Sequence, residues 1–178
     1  AGCGRRRLSR LGGGSARRAS GQRARKLARR RRYSFCRPRN EQLRACPQEN
    51  AGARYFKLKL NGDPQHDADR LIRIGKQLAT LPYDYCVTLD ANEQYADLAA
   101  LSALVERLDR DAALKPIATK LLYIEQPMPR DITKASPLGA LARRDFIVDE
   151  ADDSYDAFPV ARALGYRGIS SKSCKGIY

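Results

Sequence analysis

The chain has 178 residues, enough for one domain with a sizeable apolar core, and a formal net charge of +14. This charge lies in the first third: residues 1–54 hold 17 lysines and arginines against two acids, whereas residues 55–178 hold 17 against 18. The sequence thus excludes a chain that is basic throughout and contains no apolar stretch long enough to span a membrane. It also argues against a disulfide or structural zinc framework, since the five cysteines form no CxxC pair and only one histidine is present.

The first segment, residues 1–52, is rich in Arg, Gly, Ala and Ser, and we expect it to be disordered because it has too few apolar groups to offset the entropy of ordering. Three interpretations compete: a basic arm that binds nucleic-acid phosphates, an Arg-rich targeting peptide, or GC-rich coding DNA translated in the wrong frame. The abrupt change of composition near residue 52 favours the third. Nucleic acid is therefore a partner only if the arm is genuine, and a cytoplasmic location is the default expectation.

The second segment, residues 53–178, alternates strand and helix signals and predicts one globular domain. Short apolar runs predict strands, stripes of leucine, isoleucine and valine at helical spacing predict helices, and Gln126-Pro127-Met128-Pro129 predicts an extended loop. In chain order the predicted elements are strand Tyr55–Leu60, helix Asp67–Thr80, strand Cys86–Asp90, helix Gln94–Arg110, strand Leu121–Glu125, helix Ser136–Arg143, strand Phe146–Glu150, helix Tyr155–Leu164 and strand Gly168–Lys172.

The spacing of these strands predicts an α/β barrel. Their charged ends fall at residues 59, 90, 125, 149 and 172, which is the spacing of repeated βα units. Strands that are apolar on both faces indicate a parallel sheet covered by helices. Charged groups at the C-terminal ends of many successive strands favour a (βα) barrel over an open doubly wound sheet, whose glycine-rich phosphate loop is absent from this sequence.

The charged strand ends also predict a reactive site. Three successive strands end in carboxylates, and lysines end the strands on either side of them. A set of three carboxylates can hold a hard divalent cation, and lysines can transfer protons. Any one of these carboxylates could instead cap a helix or a loop, so the prediction rests on the five ends together. The candidates are Lys57, Lys59, Asp90, Glu125, Asp149 with Glu150 as the alternative third carboxylate, and Lys172 with Lys175 as the alternative second lysine.

Five short motifs, KLK (57–59), LDAN (89–92), IEQP (124–127), VDE (148–150) and SKSCKG (171–176), occur in this order at βα spacing. Together they resemble the enolase superfamily, in particular its mandelate racemase and muconate-lactonizing group and, within that group, the dipeptide-epimerase-like branch. The resemblance covers about residues 53–178 and no part of residues 1–50. The sequence departs from the family where a glycine pair usually follows the last motif, because Gly176 is followed by Ile177.

The resemblance implies a Mg²⁺ site and a proton-transfer reaction next to a carboxylate group. It implies that Asp90, Glu125 and Asp149 bind the metal and that Lys59 and Lys172 are the catalytic groups on opposite faces of a small carboxylate substrate. Lys57 would bind substrate or tune the neighbouring amine, and Asn92 would support the metal ligands. The reaction would be a racemisation or epimerisation, with cycloisomerisation and dehydration as alternatives that use the same parts.

The resemblance also implies the fold and the completeness of the chain. The family has an N-terminal capping domain and an eight-stranded barrel, and the five predicted strands correspond to about its second to sixth. We therefore expect a partial TIM-type (βα) barrel that is preceded by a disordered basic segment and is inactive by itself. The cap contributes much of the substrate specificity in this family, and a homo-oligomer is compatible with a full-length protein. The alternative function is nucleic-acid binding through the Arg-rich arm.

Overall fold

The computed structural model describes residues 53–172 and, in addition, the backbone of residues 33–35. Within this part of the chain, six strands form one sheet whose spatial order is the chain order, and every neighbouring pair is parallel. This is the arrangement of the wall of a (βα) barrel. The strands are β1 (Tyr33–Phe35), β2 (Tyr55–Lys59), β3 (Cys86–Asp90), β4 (Leu121–Glu125), β5 (Phe146–Val148) and β6 (Gly168–Ile169).

Helices connect the strands from β2 to β6, as parallel pairing requires. None of the helices in the described residues has the length and apolar character needed to cross a membrane. The α-helices are α1 (Pro64–Leu78), α2 (Leu98–Arg110), α3 (Lys115–Ala118), α4 (Arg130–Ala135) and α5 (Ala157–Ala163), and short 3₁₀ helices occupy Ala112–Leu114 and Gly139–Arg143.

The apolar core lies between one face of the sheet and the helices. Residues of β2 alternate, so that Phe56 and Leu58 are buried in this core while Lys57 and Lys59 point to the opposite face. The opposite face of the sheet is therefore where the charged strand residues gather. Fully buried members of the core on the other elements include Leu71, Val87, Leu89, Leu101, Leu104, Ile124, Phe146 and Val148.

The predicted partial (βα) barrel is confirmed, with differences at individual elements. The predicted helix Ser136–Arg143 is instead the 3₁₀ helix Gly139–Arg143, which begins where Gly139 adopts a positive φ of 52°. Helix α4 was not predicted, because its six residues bury only Thr133 and so carry no apolar periodicity.

Within residues 1–52, for which disorder was predicted, Tyr33–Phe35 form a strand that pairs in parallel with β2. Two aromatic residues in a tripeptide have high strand propensity, but three residues are too few to show an alternating pattern. The sheet thus has one strand more than predicted, ahead of the first predicted strand. The remainder of residues 1–52, on which the nucleic-acid hypothesis depends, and Lys175 lie outside the described residues.

A buried carboxylate fixes the loop that follows β2. Asp67, in the first turn of α1, is fully buried and accepts hydrogen bonds from the backbone N–H groups of Asn61 and Gly62 and from the Tyr95 hydroxyl at 2.8 Å. Gly62 has a φ of 89°, and a Cβ there would lie 2.2 Å from the carbonyl oxygen of Gln94. Only glycine fits this close approach, so a side chain at position 62 would displace the loop that follows Lys59.

Tyr95→Phe should lower the free energy of unfolding by about 1–3 kcal/mol, because it removes a donor from a buried carboxylate. The native hydroxyl keeps its proton, since burial and the neighbouring Asp67 raise the pKa of Tyr95. Urea denaturation of the 178-residue chain measures the loss. Tyr155→Phe is the matched control, because Tyr155 is 80% exposed and should tolerate the change. An equal loss in both variants would contradict the prediction.

Candidate active site

Three carboxylates meet at the C-terminal edge of the sheet. Asp90 ends β3 and Glu125 ends β4, and the two residues are partners in the strand register. Asp149 directly follows β5, two residues after the register partner of Glu125. Because the strands are parallel, their C-terminal ends lie at one edge. Each of the three carboxylate residues is only 1% exposed.

Two lysines of β2 contact the first of these carboxylates. The Nζ atoms of Lys57 and Lys59 each lie 2.7 Å from the Oδ2 atom of Asp90, and Lys57 also lies 2.7 Å from Oε2 of Glu125. The two lysines converge because residues two apart in a strand point to the same face. The Lys57 ammonium group thus bridges two neighbouring carboxylates.

A third lysine contacts the opposite end of the carboxylate row. Lys172, which follows β6, donates a hydrogen bond to Oδ2 of Asp149, and its side chain is 45% exposed. The carboxylate row is thus flanked by Lys57 and Lys59 at the Asp90 end and by Lys172 at the Asp149 end. The structure brings together all the predicted site residues that it describes.

Asn92 connects the first lysine pair to a fourth carboxylate. Its Oδ1 atom accepts a hydrogen bond from Lys59, and its Nδ2 atom donates to Oε1 of Glu150 at 3.1 Å. Its backbone N–H donates to Oδ1 of Asp90 at 3.1 Å. Asn92 has a φ of 45°, a left-handed conformation that asparagine tolerates better than most residues. Glu150 is therefore placed beside the row and is joined to it through Asn92.

The electrostatics of the row favour positively charged lysines. Burial alone lowers the pKa of Lys57, but its hydrogen bonds to Asp90 and Glu125 more than offset this, and the pKa lies above the ordinary value. Burial raises the pKa of Glu125, Lys57 opposes the rise, and the Asp90 and Asp149 carboxyls add to it. The hydrogen bond to Asp149 raises the pKa of Lys172. The closely spaced buried carboxylates thus favour the charged forms of Lys57 and Lys172.

A metal ion would fit this donor set only if a lysine moved aside. Among the described residues, no three His, Cys, Asp or Glu side chains are arranged as a preformed metal site. The Lys57 ammonium group lies between Asp90 and Glu125, where a shared cation would bind. However, Oε1 of Glu125 is buried and has no hydrogen-bond partner in the described part of the chain. A buried oxygen without a hydrogen-bond partner would be satisfied by a bound cation. Carboxylate oxygens are hard ligands, which Mg²⁺ prefers.

Gln126 belongs to the motif IEQP (124–127) but is not among the predicted site residues. Gln126 is fully buried, and its side chain accepts hydrogen bonds from the backbone N–H groups of Asp149 and Ala151. The signal available in the sequence was an uncharged amide between a strand-ending carboxylate and a proline. An amide contributes no charge of its own, so Gln126 does not belong to the pattern of charged strand ends.

Comparison with known sequences leaves the family of this chain open. No protein-family model matches the sequence, and no curated protein is similar enough to match it.

Comparison with solved structures finds partial matches to two enzymes. The o-succinylbenzoate synthase of Thermosynechococcus elongatus, determined with Mg in its active site, is 26% identical, with a TM-score of 0.53 over 71% of this chain and 38% of that one. The muconate lactonizing enzyme of Pseudomonas putida is 21% identical, with a TM-score of 0.52 over 73% of this chain and 34% of that one. This chain thus spans well under half of either enzyme. Both enzymes belong to the enolase superfamily, and the chain has the fold of part of an enolase-superfamily barrel.

Proposed function

We propose that this chain is part of a Mg²⁺-dependent enzyme of the enolase type that moves a proton on the carbon next to a substrate carboxylate. One observation carries the proposal: three buried carboxylates at adjacent strand ends have lysine ammonium groups at both ends of the row. The matched o-succinylbenzoate synthase, with Mg in its active site, supports the choice of metal.

The proposed metal ligands are Asp90, Glu125 and Asp149. When bound, Mg²⁺ supplies positive charge that stabilises the negative charge developing on the substrate carboxylate during proton removal. The unpartnered Oε1 atom of Glu125 supports this assignment, because a buried carboxylate oxygen is otherwise costly. Lys57 leaves its place between Asp90 and Glu125 and becomes available to bind the substrate.

The proposed acid and base are Lys59 and Lys172. The lysine that acts as base must first release its proton to solvent, after which its Nζ atom takes the proton from the α-carbon. The other lysine, still protonated, returns a proton to the opposite face. Asn92 orients Lys59 by accepting its hydrogen bond. The positions of the lysines at opposite ends of the carboxylate row support this division of roles.

The reaction that best uses two such lysines is a racemisation or epimerisation of a small carboxylate, as in the dipeptide-epimerase-like branch. With the metal ion in place, an acid and a base on opposite faces can invert the α-carbon without a ring-forming or leaving group in the substrate. Cycloisomerisation and dehydration need the same base but also a ring-forming or leaving group in the substrate. The chain spans 38% and 34% of the two matched enzymes, so we propose that further substrate contacts come from outside the described residues.

Mg²⁺ should raise the melting temperature of the chain, because a ligand that binds only the folded state stabilises that state. At a Mg²⁺ concentration of 100 times the Kd, the free energy of unfolding rises by about 2.7 kcal/mol. Asp90→Asn should abolish the shift, because it removes a proposed ligand. Asp109→Asn is the control, since Asp109 pairs with Arg143 and Arg144 away from the row. Differential scanning calorimetry measures the shifts. The proposed metal site is wrong if millimolar Mg²⁺ leaves the wild-type melting temperature unchanged.

Lys57→Met should reduce the stability of the metal-free chain by about 1–3 kcal/mol, less than for a fully buried pair because the Lys57 side chain is 22% exposed. Mg²⁺ should then raise the melting temperature by more than in the wild type, because the ammonium group that bridges Asp90 and Glu125 is gone, although Lys59 still contacts Asp90. Lys120→Met is the control, because Lys120 pairs with the exposed Asp84. A metal response that is smaller in Lys57→Met than in the wild type would refute the competition.

The 178-residue chain by itself should bind Mg²⁺ but give no measurable turnover of small carboxylates, since it corresponds to a minority of each matched enzyme. Exchange of the α-proton in ²H₂O, followed by NMR, measures turnover for a panel of amino acids and dipeptides. Exchange that Lys59→Met abolishes would show instead that the 178-residue chain suffices for catalysis.

A further inference from the structure

Gln126 lies next to the proposed metal ligand Glu125, and the following inference rests on the proposed metal site. The Gln126 side chain is fully buried. Its Oε1 atom accepts hydrogen bonds from the backbone N–H groups of Asp149 at 2.8 Å and Ala151 at 3.0 Å. The side chain of a residue after β4 thus holds the backbone of the ligand after β5.

The nitrogen of the Gln126 amide also has two hydrogen-bond partners. Its Nε2 atom donates to the carbonyl oxygen of Met128 at 2.8 Å and to Oγ1 of Thr133 at 3.2 Å. Only one orientation of the amide satisfies these contacts, because two N–H donors face the oxygen and a carbonyl faces the nitrogen. Hydrogen bonds at both ends of the Gln126 amide therefore link the loop after β4 to the loop after β5.

The backbone of the same residue joins the third ligand loop. The Gln126 N–H donates to the carbonyl oxygen of Ile147, and its own carbonyl oxygen accepts a hydrogen bond from the Glu93 N–H, both at 2.9 Å. Glu93 lies three residues after Asp90. Gln126 is thus hydrogen-bonded to the segments that follow Asp90 and Glu125 and to Asp149 itself.

The backbone conformation at this position is unusual. Gln126 has a φ of 36°, and Asn92 and Glu93 have φ values of 45° and 68°. Residues other than glycine rarely adopt such values and keep them only where surrounding contacts hold them. Gln126 directly follows Glu125, and Asn92 and Glu93 are two and three residues after Asp90. The contacts of Gln126 thus hold a geometry that the backbone would not adopt alone.

We infer that Gln126 is a positioning residue that sets the distance between Glu125 and Asp149 and thereby makes the site selective for Mg²⁺ over Ca²⁺. Mg²⁺ demands near-octahedral oxygen ligands at about 2.0–2.1 Å, whereas Ca²⁺ accepts flexible shells at about 2.3–2.6 Å. A rigid link between two ligand loops favours the smaller ion. Loosening the link should therefore weaken Mg²⁺ binding much more than Ca²⁺ binding.

The test compares Mg²⁺ and Ca²⁺ binding by Gln126→Asn and wild type in the 178-residue chain, using isothermal titration calorimetry. Asparagine tolerates a positive φ but is one methylene shorter, so it cannot reach Asp149 and Met128 together. The Kd for Mg²⁺ should rise by about tenfold or more, as is usual when support of a ligand is lost, and the Kd for Ca²⁺ by less than about threefold.

Thr133→Val is the matched control. It removes one contact of the Gln126 nitrogen but leaves the bonds from Asp149 and Ala151 to the oxygen. It should lower stability while the ratio of the two Kd values stays at the wild-type value, which separates positioning of the metal ligands from a general structural role.

The Kd values of the wild type and of Gln126→Asn test this inference separately from the proposed metal site. A wild-type chain that binds Mg²⁺, together with an unchanged Mg²⁺ to Ca²⁺ ratio in Gln126→Asn, overturns this inference alone. A wild-type chain that does not bind Mg²⁺ overturns the proposed metal site and this inference with it. If the variant does not fold, hydrogen exchange in the wild type decides: the Asp149 and Ala151 amides should be strongly protected, and exchange as fast as in exposed amides overturns the inference.

Discussion

The contact of lysine ammonium groups with buried carboxylates is the interaction on which this end of the sheet depends. Asp90, Glu125 and Asp149 lie side by side with almost no exposure to water, and three like charges in this setting would repel one another strongly. Lys57 and Lys172 supply the compensating charge within hydrogen-bonding distance. The parallel register brings the three carboxylates together, and the lysine ammonium groups make this arrangement possible by compensating their negative charge. A metal ion can compensate the same charge in place of an ammonium group.

Much of this arrangement could be predicted from the sequence. The apolar runs located β3 and β4 at their observed bounds, and the two-residue spacing of Lys57 and Lys59 is the spacing at which side chains of one strand share a face. Repeated βα spacing then predicted that the ends of successive strands would meet. These features depend on periodicity along the chain, which a single sequence displays directly.

The features that could not be predicted depend on contacts between distant residues. The Tyr95 hydroxyl reaches Asp67, 28 residues away, and Gln126 reaches Asp149, 23 residues away. Neither pair has a local pattern, because a hydrogen bond across a fold requires no particular spacing in sequence. The bridging position of Lys57 between Asp90 and Glu125 was also unpredicted, since the sequence shows which charges gather but not which of them pair.

The order of the strands has a consequence for how the chain acquires its structure. Each strand pairs with the one made just before it, so no pairing in the described sheet waits for a much later part of the chain. Parallel pairings across a βα unit form more slowly than contacts within a helix, but pairing of each strand with its predecessor suits folding during synthesis from the N-terminal side. We expect the sheet to grow strand by strand on the ribosome. The pair formed by Lys172 and Asp149 would then be the last of the lysine–carboxylate contacts to close.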